Sequence, residues 1–176
     1  MGQQGVERKQ ENLRVRDCYL SCLAEADIDT VLDIENASFP APWGRSSFQG
    51  ELAEKTSRSL VMKRRQQEKP DQVIAYLCFR VIEDEMHIMN LAVHPGYRRR
   101  GVASFLLDYA LRLAKEYGAR GAMLEVRPSN HAAISLYDKM GFSVAGRRRR
   151  YYVETREDAV IMTNEMAGEA GQNARG

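Results

Sequence analysis

The run Asn-Leu-Ala-Val-His-Pro-Gly-Tyr-Arg-Arg-Arg-Gly-Val-Ala at residues 90–103 constrains the fold more than any other stretch. An apolar strand pattern through Leu91, Ala92 and Val93 ends at a His-Pro-Gly turn. A basic loop with Gly101 follows, and a helical pattern begins directly after it. Strand, glycine loop and helix N-terminus in that order form a device for holding phosphate. Loop N–H groups point outward, and the first helical turn adds its unpaired donors and positive dipole end. Arg98, Arg99 and Arg100 add charge where a diphosphate would sit. The run is not a P-loop, because no Gly-Lys-Ser/Thr follows, and it is not Gly-x-Gly-x-x-Gly.

Periodicity places the other elements around this unit. A first strand is expected over residues 15–23. Ile28, Val31, Leu32 and Ile34 then recur at helical spacing, with Asp27 as the expected N-cap. Phe39-Pro40-Ala41-Pro42-Trp43 breaks that helix, and Ser46 or Ser47 is expected to cap a second one through Leu52. Residues 60–62 read as a short strand. Residues 73–82 and 86–93 read as a hairpin turning at residues 83–85. Phe105, Leu106, Tyr109, Ala110, Leu113 and Tyr117 mark a long amphipathic helix that Gly118 closes. Residues 122–126 form an apolar strand, Asn130 opens a short helix ending at Gly141, residues 142–146 start another strand, the arginines at 147–150 read most simply as a solvated edge strand, and residues 160–162 belong to a last strand. Two β–α–β passages call for a parallel or mixed sheet with helices on its faces.

The chain has 176 residues, which suits one domain with a single core. Residues 1–12 and 167–176 are polar and are expected to be a flexible extension and a disordered tail. A net charge of +2 and a pI near 8.4 are too mild for nucleic acid to be the main partner. The basic residues cluster instead, at 98–100 and 147–150, which suggests a local anionic ligand or an acidic surface. Cys18, Cys22 and Cys78 include no Cys-x-x-Cys pair, and His87, His94 and His131 show no metal spacing. Free thiols, no apolar leader and no apolar run of about 18 residues lead to the expectation of a cytoplasmic protein without metal or membrane contact.

The second half carries more chemistry. Leu124-Glu125-Val126-Arg127 with Ser129-Asn130 precedes Ala133, Leu136-Tyr137 and Gly141-Phe142. Together with Arg98, Gly101 and Ala103 this order resembles the acetyl-CoA-binding core of the GNAT acetyltransferases. More specifically it is similar to the bacterial ribosomal-protein-alanine N-acetyltransferases (RimI type). Tyr151-Tyr152 with Glu157-Asp158-Ala159 and Met162 matches that family's last hairpin, and Phe39 with Pro42-Trp43 matches its Phe-Pro-Trp segment with two residues inserted. The resemblance spans roughly residues 15–165.

It implies an α/β (α+β) GNAT fold. The sheet would be mixed and mostly antiparallel, with flanking helices and a V-shaped splay between the fourth and fifth strands. It implies acetyl-CoA as co-substrate and a protein N-terminal α-amine as acceptor, the likeliest being the N-terminal alanine of a small-subunit ribosomal protein. Glu125 would be the general base and Tyr137 the general acid. Leu91, Ala92 and Val93 would offer backbone to the pantetheine, and residues from Arg98 through Arg99, Arg100, Gly101, Val102 and Ala103 to Ser104 would cradle the pyrophosphate. Asn130 would cap its helix and touch the coenzyme. Phe39, Trp43, Tyr151 and Tyr152 would line the acceptor groove. No Ser/His or Cys/His pair announces a covalent intermediate, so direct attack is expected. A monomer or weak dimer is expected. A small amine or lysine acceptor, or a non-catalytic acyl-CoA-binding module, remains open.

Overall fold

The structure, a computed structural model, describes residues 17–166; the expectations for residues 1–12 and 167–176 lie outside them. Seven strands form one sheet. They are β1 (Cys18–Cys22), β2 (Ser57–Arg64), β3 (Gln72–Ile82), β4 (Glu85–Val93), β5 (Gly121–Val126), β6 (Ser143–Tyr152) and β7 (Glu157–Glu165). Their order across the sheet is β1-β2-β3-β4-β5-β7-β6. Neighbours are antiparallel except β4 and β5, which are parallel. Four helices flank it: α1 (Ile28–Asn36), α2 (Arg45–Ala53), α3 (Val102–Glu116) and α4 (His131–Lys139).

Of the two expected β–α–β passages, β4–α3–β5 gives a directly paired parallel unit. The second, β5–α4–β6, leaves β7 inserted between its two strands. The sheet is therefore mixed and mostly antiparallel, as the resemblance implied.

Both faces of the sheet are covered, which explains the unbroken apolar run of β3. Leu77 and Phe79 point into the core beneath α3, with Leu106, Leu107, Ala110, Leu124 and Phe142. Tyr76 and Cys78 alternate to the other face, where Ile28, Val31, Ile34 and Phe48 of α1 and α2 pack.

One helix starts where expected but without the side-chain cap bond, and another starts earlier than expected. Asp27 does precede α1, but its carboxylate accepts from the Ala24 N–H at 3.1 Å and pairs with Lys63 at 2.8 Å, so it caps no N–H of α1. Helix α2 begins at Arg45 behind an extended Gly44, which puts Ser46 and Ser47 inside its first turn rather than at its cap. By contrast, the Asn130 side chain accepts from the Ala133 N–H at 3.2 Å and caps α4 as expected. Strand β6 begins within the expected 142–146 stretch and continues through the arginine run to Tyr152 at the edge of the sheet, as the edge-strand reading of that run expects.

Phe142 is 2% exposed and packs against Tyr137 with ring centroids 5.7 Å apart. Phe142→Ala is expected to cost about 3–5 kcal/mol of stability, read as a lower denaturant midpoint with unchanged slope.

Candidate active site

The glycine loop takes the form its sequence suggested. Gly101 stands at the N-cap of α3 with φ 78° and ψ 1°, a left-handed conformation that a side chain disfavours. Arg99 shares positive φ, at 61°. The N–H groups of Val102, Ala103 and Ser104 form the first turn of α3, where helix geometry provides no internal acceptor. His94 and Tyr97 hold the loop's base. The His94 ring accepts from the Gly96 N–H at 3.1 Å, and the buried Tyr97 donates to Gln72 Oε1 at 2.9 Å.

The three arginines are used differently. Arg99 and Arg100 are exposed, and the Arg100 guanidinium lies 5.6 Å from the Tyr97 ring centroid. Arg98 Nε donates to the Val93 carbonyl at 3.0 Å. Its Nη2 reaches the Ala37 carbonyl at 3.2 Å and Ser38 Oγ at 2.9 Å. The Arg98 side chain therefore ties the loop to the end of α1, a contact that sequence reasoning did not foresee.

Beside this loop the sheet opens. Parallel pairing joins Glu85–Ile88 of β4 to Gly121–Leu124 of β5 and stops there. On the other side of β4, register with β3 jumps from Phe79↔Ile88 to Cys78↔Asn90, so Met89 is the extra residue of a β-bulge. Leu91, Ala92 and Val93 continue in register with β3, while their other edge has left β5. This is the splay that the resemblance implied. It fits an extended thioester arm, because a parted strand offers unpaired backbone groups.

A cleft of about 130 Å³ occupies the opening. Met89 and Asn90 of β4, Glu125 of β5, Arg127 just after it and Tyr137 of α4 meet there with Tyr152 of β6. Phe39, Ala41 and Trp43 of the α1–α2 loop close one side, and Asn130 another. Glu125, Tyr137, Asn130, Phe39, Trp43 and Tyr152 are thus brought together from four separate parts of the chain. Tyr151 is not in the wall. It is 41% exposed, stacked edge-on against Tyr152 and beside Arg148. A second, more apolar groove of about 490 Å³ lies between β1 and α3, with Arg100, Gly101 and Val102 on its rim.

Glu125 is half-buried, and its Oε1 meets Arg148 Nη1 at 3.1 Å. Arg148 thus brings one member of the arginine run to the cleft. Tyr137 is 7% exposed, and burial pushes its phenol well above the ordinary tyrosine range, so it holds its proton at neutral pH. Burial likewise raises Tyr152 to about 12, against the opposing pull of the Arg127 guanidinium, 4.0 Å from its ring centroid. The Tyr152 hydroxyl donates to the Glu125 carbonyl at 3.2 Å, which fixes the end of β5.

Sequence reasoning missed Glu35. This carboxylate lines the cleft from the end of α1 and is 1% exposed. Its Oε1 accepts from the Trp43 N–H at 2.8 Å and from Asn90 Nδ2 at 3.1 Å, and its Oε2 accepts from the Tyr76 hydroxyl. The signal was present: Glu35 continues the Ile28, Val31, Ile34 face, so a carboxylate stood on an apolar stripe.

The loop geometry predicts a specific sensitivity. A Cβ at Gly101 meets no atom within 4 Å, so Gly101→Ala is penalised through its backbone alone. A loss of about 1–2 kcal/mol in stability is expected, with weaker acetyl-CoA binding. Gly101→Asn should be milder on both counts. Thermal melts and coenzyme titration check this.

Comparison with known proteins agrees with this geometry. The profile of the Acetyltransferase (GNAT) family matches residues 28–142. The chain is 40% identical over 137 residues, 77% of this chain and 87% of the relative, to a putative [ribosomal protein bS18]-alanine N-acetyltransferase of Bacillus subtilis. It is 36% identical over 145 residues, 81% of this chain and 94% of the relative, to the [ribosomal protein bS18]-alanine N-acetyltransferase of Escherichia coli K12. The crystal structure of the Escherichia coli ribosomal-protein-S18-alanine N-acetyltransferase aligns with a TM-score of 0.75 and 31% identity, covering 90% of this chain and 99% of that one. The chain therefore belongs to the GNAT family, within its ribosomal-protein-alanine branch, and is an acetyl-CoA-dependent N-acetyltransferase.

Proposed function

We propose that this enzyme moves acetyl from acetyl-CoA to the α-amine of a protein N-terminus, by direct attack, with Glu125 as base and Tyr137 as acid. One observation carries the mechanism. Glu125 and Tyr137 line the same cleft, at the point where β4 and β5 part. The ammonium of the acceptor gives a proton to the Glu125 carboxylate, directly or through one water. The free amine adds to the thioester carbonyl carbon, the nitrogen of the adduct gives its second proton to solvent, the C–S bond breaks, the amide forms, and Glu125 returns its proton to solvent. Tyr137, held protonated by burial, donates to the departing thiolate and is reprotonated from solvent. One proton is released for each acetyl moved.

Phe39, Ala41, Trp43 and Tyr152 frame the acceptor end of the cleft. The parted edge of Leu91, Ala92 and Val93 receives the pantetheine. The amides from Arg99 to Ser104 receive the pyrophosphate, and Asn130, from the head of α4, adds a coenzyme contact. Arg98 acts through the α1–α2 junction instead, and Tyr151 through Tyr152.

The most specific acceptor is the N-terminal alanine of a small-subunit ribosomal protein. The names of the relatives support it, and it places the enzyme in the cytoplasm. The Pro40-Ala41-Pro42 stretch puts Ala41 in the cleft wall, where it would touch the acceptor.

Thiol release from acetyl-CoA is the test. A peptide with a free N-terminal alanine should turn over, and the same peptide N-blocked but bearing a free lysine should not. Turnover of the blocked peptide alone would overturn the N-terminal reading. Tyr137→Phe and Glu125→Gln should each lower kcat by about 10²–10⁴-fold while acetyl-CoA still binds. Full activity in either variant would remove that residue from the mechanism.

A further inference from the structure

The cleft holds a charge that the proton-transfer scheme does not use. Among the described residues three carboxylates are buried: Asp27, Glu35 and Glu51. Asp27 is paired with Lys63 at 2.8 Å, and Glu51 with Arg80 at 2.6 Å. Among the described residues no Lys, Arg or His pairs with Glu35. Its donors are the Trp43 N–H, the Asn90 amide and the Tyr76 hydroxyl, all neutral.

Both Glu35 oxygens are filled by donors, and the Trp43 and Asn90 groups can only donate. That arrangement suits the ionised, acceptor-only form of a carboxylate. Burial still makes this anion costly, pushing its acid above the ordinary carboxylate range, while Trp43 and Asn90 pull the other way. A desolvated anion satisfied only by neutral donors gains most from a cation that arrives nearby.

The other charges at the cleft cancel in pairs. Glu125 meets Arg148 at 3.1 Å, and Arg127 meets Glu157 at 3.7 Å. Glu35 is left as the uncompensated charge in the wall, on the side closed by Trp43 and Asn90. An α-amine has a pKa of about 7.7–8.0 and arrives mostly as ammonium at neutral pH.

We propose that Glu35 supplies the counter-charge that selects a cationic amine at the acceptor end of the cleft. It is a specificity-determining residue acting through its field, not a proton acceptor in the reaction. It also joins three parts of the acceptor wall, because Trp43 belongs to the α1–α2 loop, Asn90 follows the β4 bulge, and Tyr76 lies on β3. The proposal rests on the reading of an amine-terminated peptide as acceptor.

The test is binding, with no chemistry involved. The full-length protein is saturated with coenzyme A and titrated with an Ala-terminated peptide and its desamino twin, in which propanoyl replaces alanyl. Wild type should prefer the amine peptide on the order of tenfold, the effect of a unit charge about 10 Å away at an effective dielectric of about 20. Glu35→Gln should weaken the amine peptide to the level of the twin and leave the twin unchanged. Glu35→Asp and Tyr76→Phe disturb the same network but keep the charge, so both should keep the preference. Equal weakening of both peptides by Glu35→Gln would show a merely structural role and overturn the proposal. If Glu35→Gln does not fold, the wild-type pair still decides, since absence of an amine preference overturns it. Binding of neither peptide to wild type would instead bring down the acceptor reading on which the proposal rests.

Discussion

Backbone hydrogen bonds that β4 and β5 do not make are what the site depends on. The two strands pair as far as Ile88 and Leu124 and then part. A strand edge left open inside a fold must find other partners for its N–H and C=O groups. The bulge at Met89 makes the parting local: it bends β4 while Leu91, Ala92 and Val93 stay in register with β3. One side of β4 is thus fixed by the core and the other is offered to a ligand. The glycine loop lies at the end of that same strand, so the open edge and the loop amides proposed to hold phosphate are fixed relative to each other by five residues of chain, 94–98.

The acceptor side is held differently, by side chains crossing between elements. Arg98 reaches from the glycine loop to Ala37 and Ser38, and Glu35 holds the Trp43 N–H. The loop over residues 37–43 is therefore pinned at both ends, once to the coenzyme side and once to the bulged strand. Behind it, the rings of Trp43, Phe48 and Tyr76 pack in sequence at 5.5 and 5.4 Å. That packing leads back to the Tyr76 hydroxyl on Glu35. The Pro40-Ala41-Pro42 stretch lies between two such anchors.

The sequence made the coenzyme half far more legible than the acceptor half. Residues 90–103 are contiguous, and their local chemistry—a turn, a glycine that tolerates positive φ, a helix start—is written in neighbouring residues. Asn130 was legible as a cap for the same reason. Glu125 and Tyr137 were legible through motif order, because no local rule says that a strand glutamate and a helix tyrosine face one cleft. The splay itself came from resemblance, since strand pairing is a non-local property. Glu35, the Arg98 contact with α1 and the Arg148–Glu125 pair join residues far apart in the chain, which periodicity does not report. At Asp27 a related cause applies: the residue stands at the N-cap of α1, but its carboxylate is taken by Lys63 and the Ala24 N–H instead of the helix.

Hydrogen exchange at backbone amides tests the central claim most directly. If the parted edge of β4 and the head of α3 receive the coenzyme, acetyl-CoA should slow exchange at residues 89–93 and 99–104. It should leave β1 and β2 unchanged. Protection centred instead on the groove between β1 and α3, with none along β4, would contradict the account.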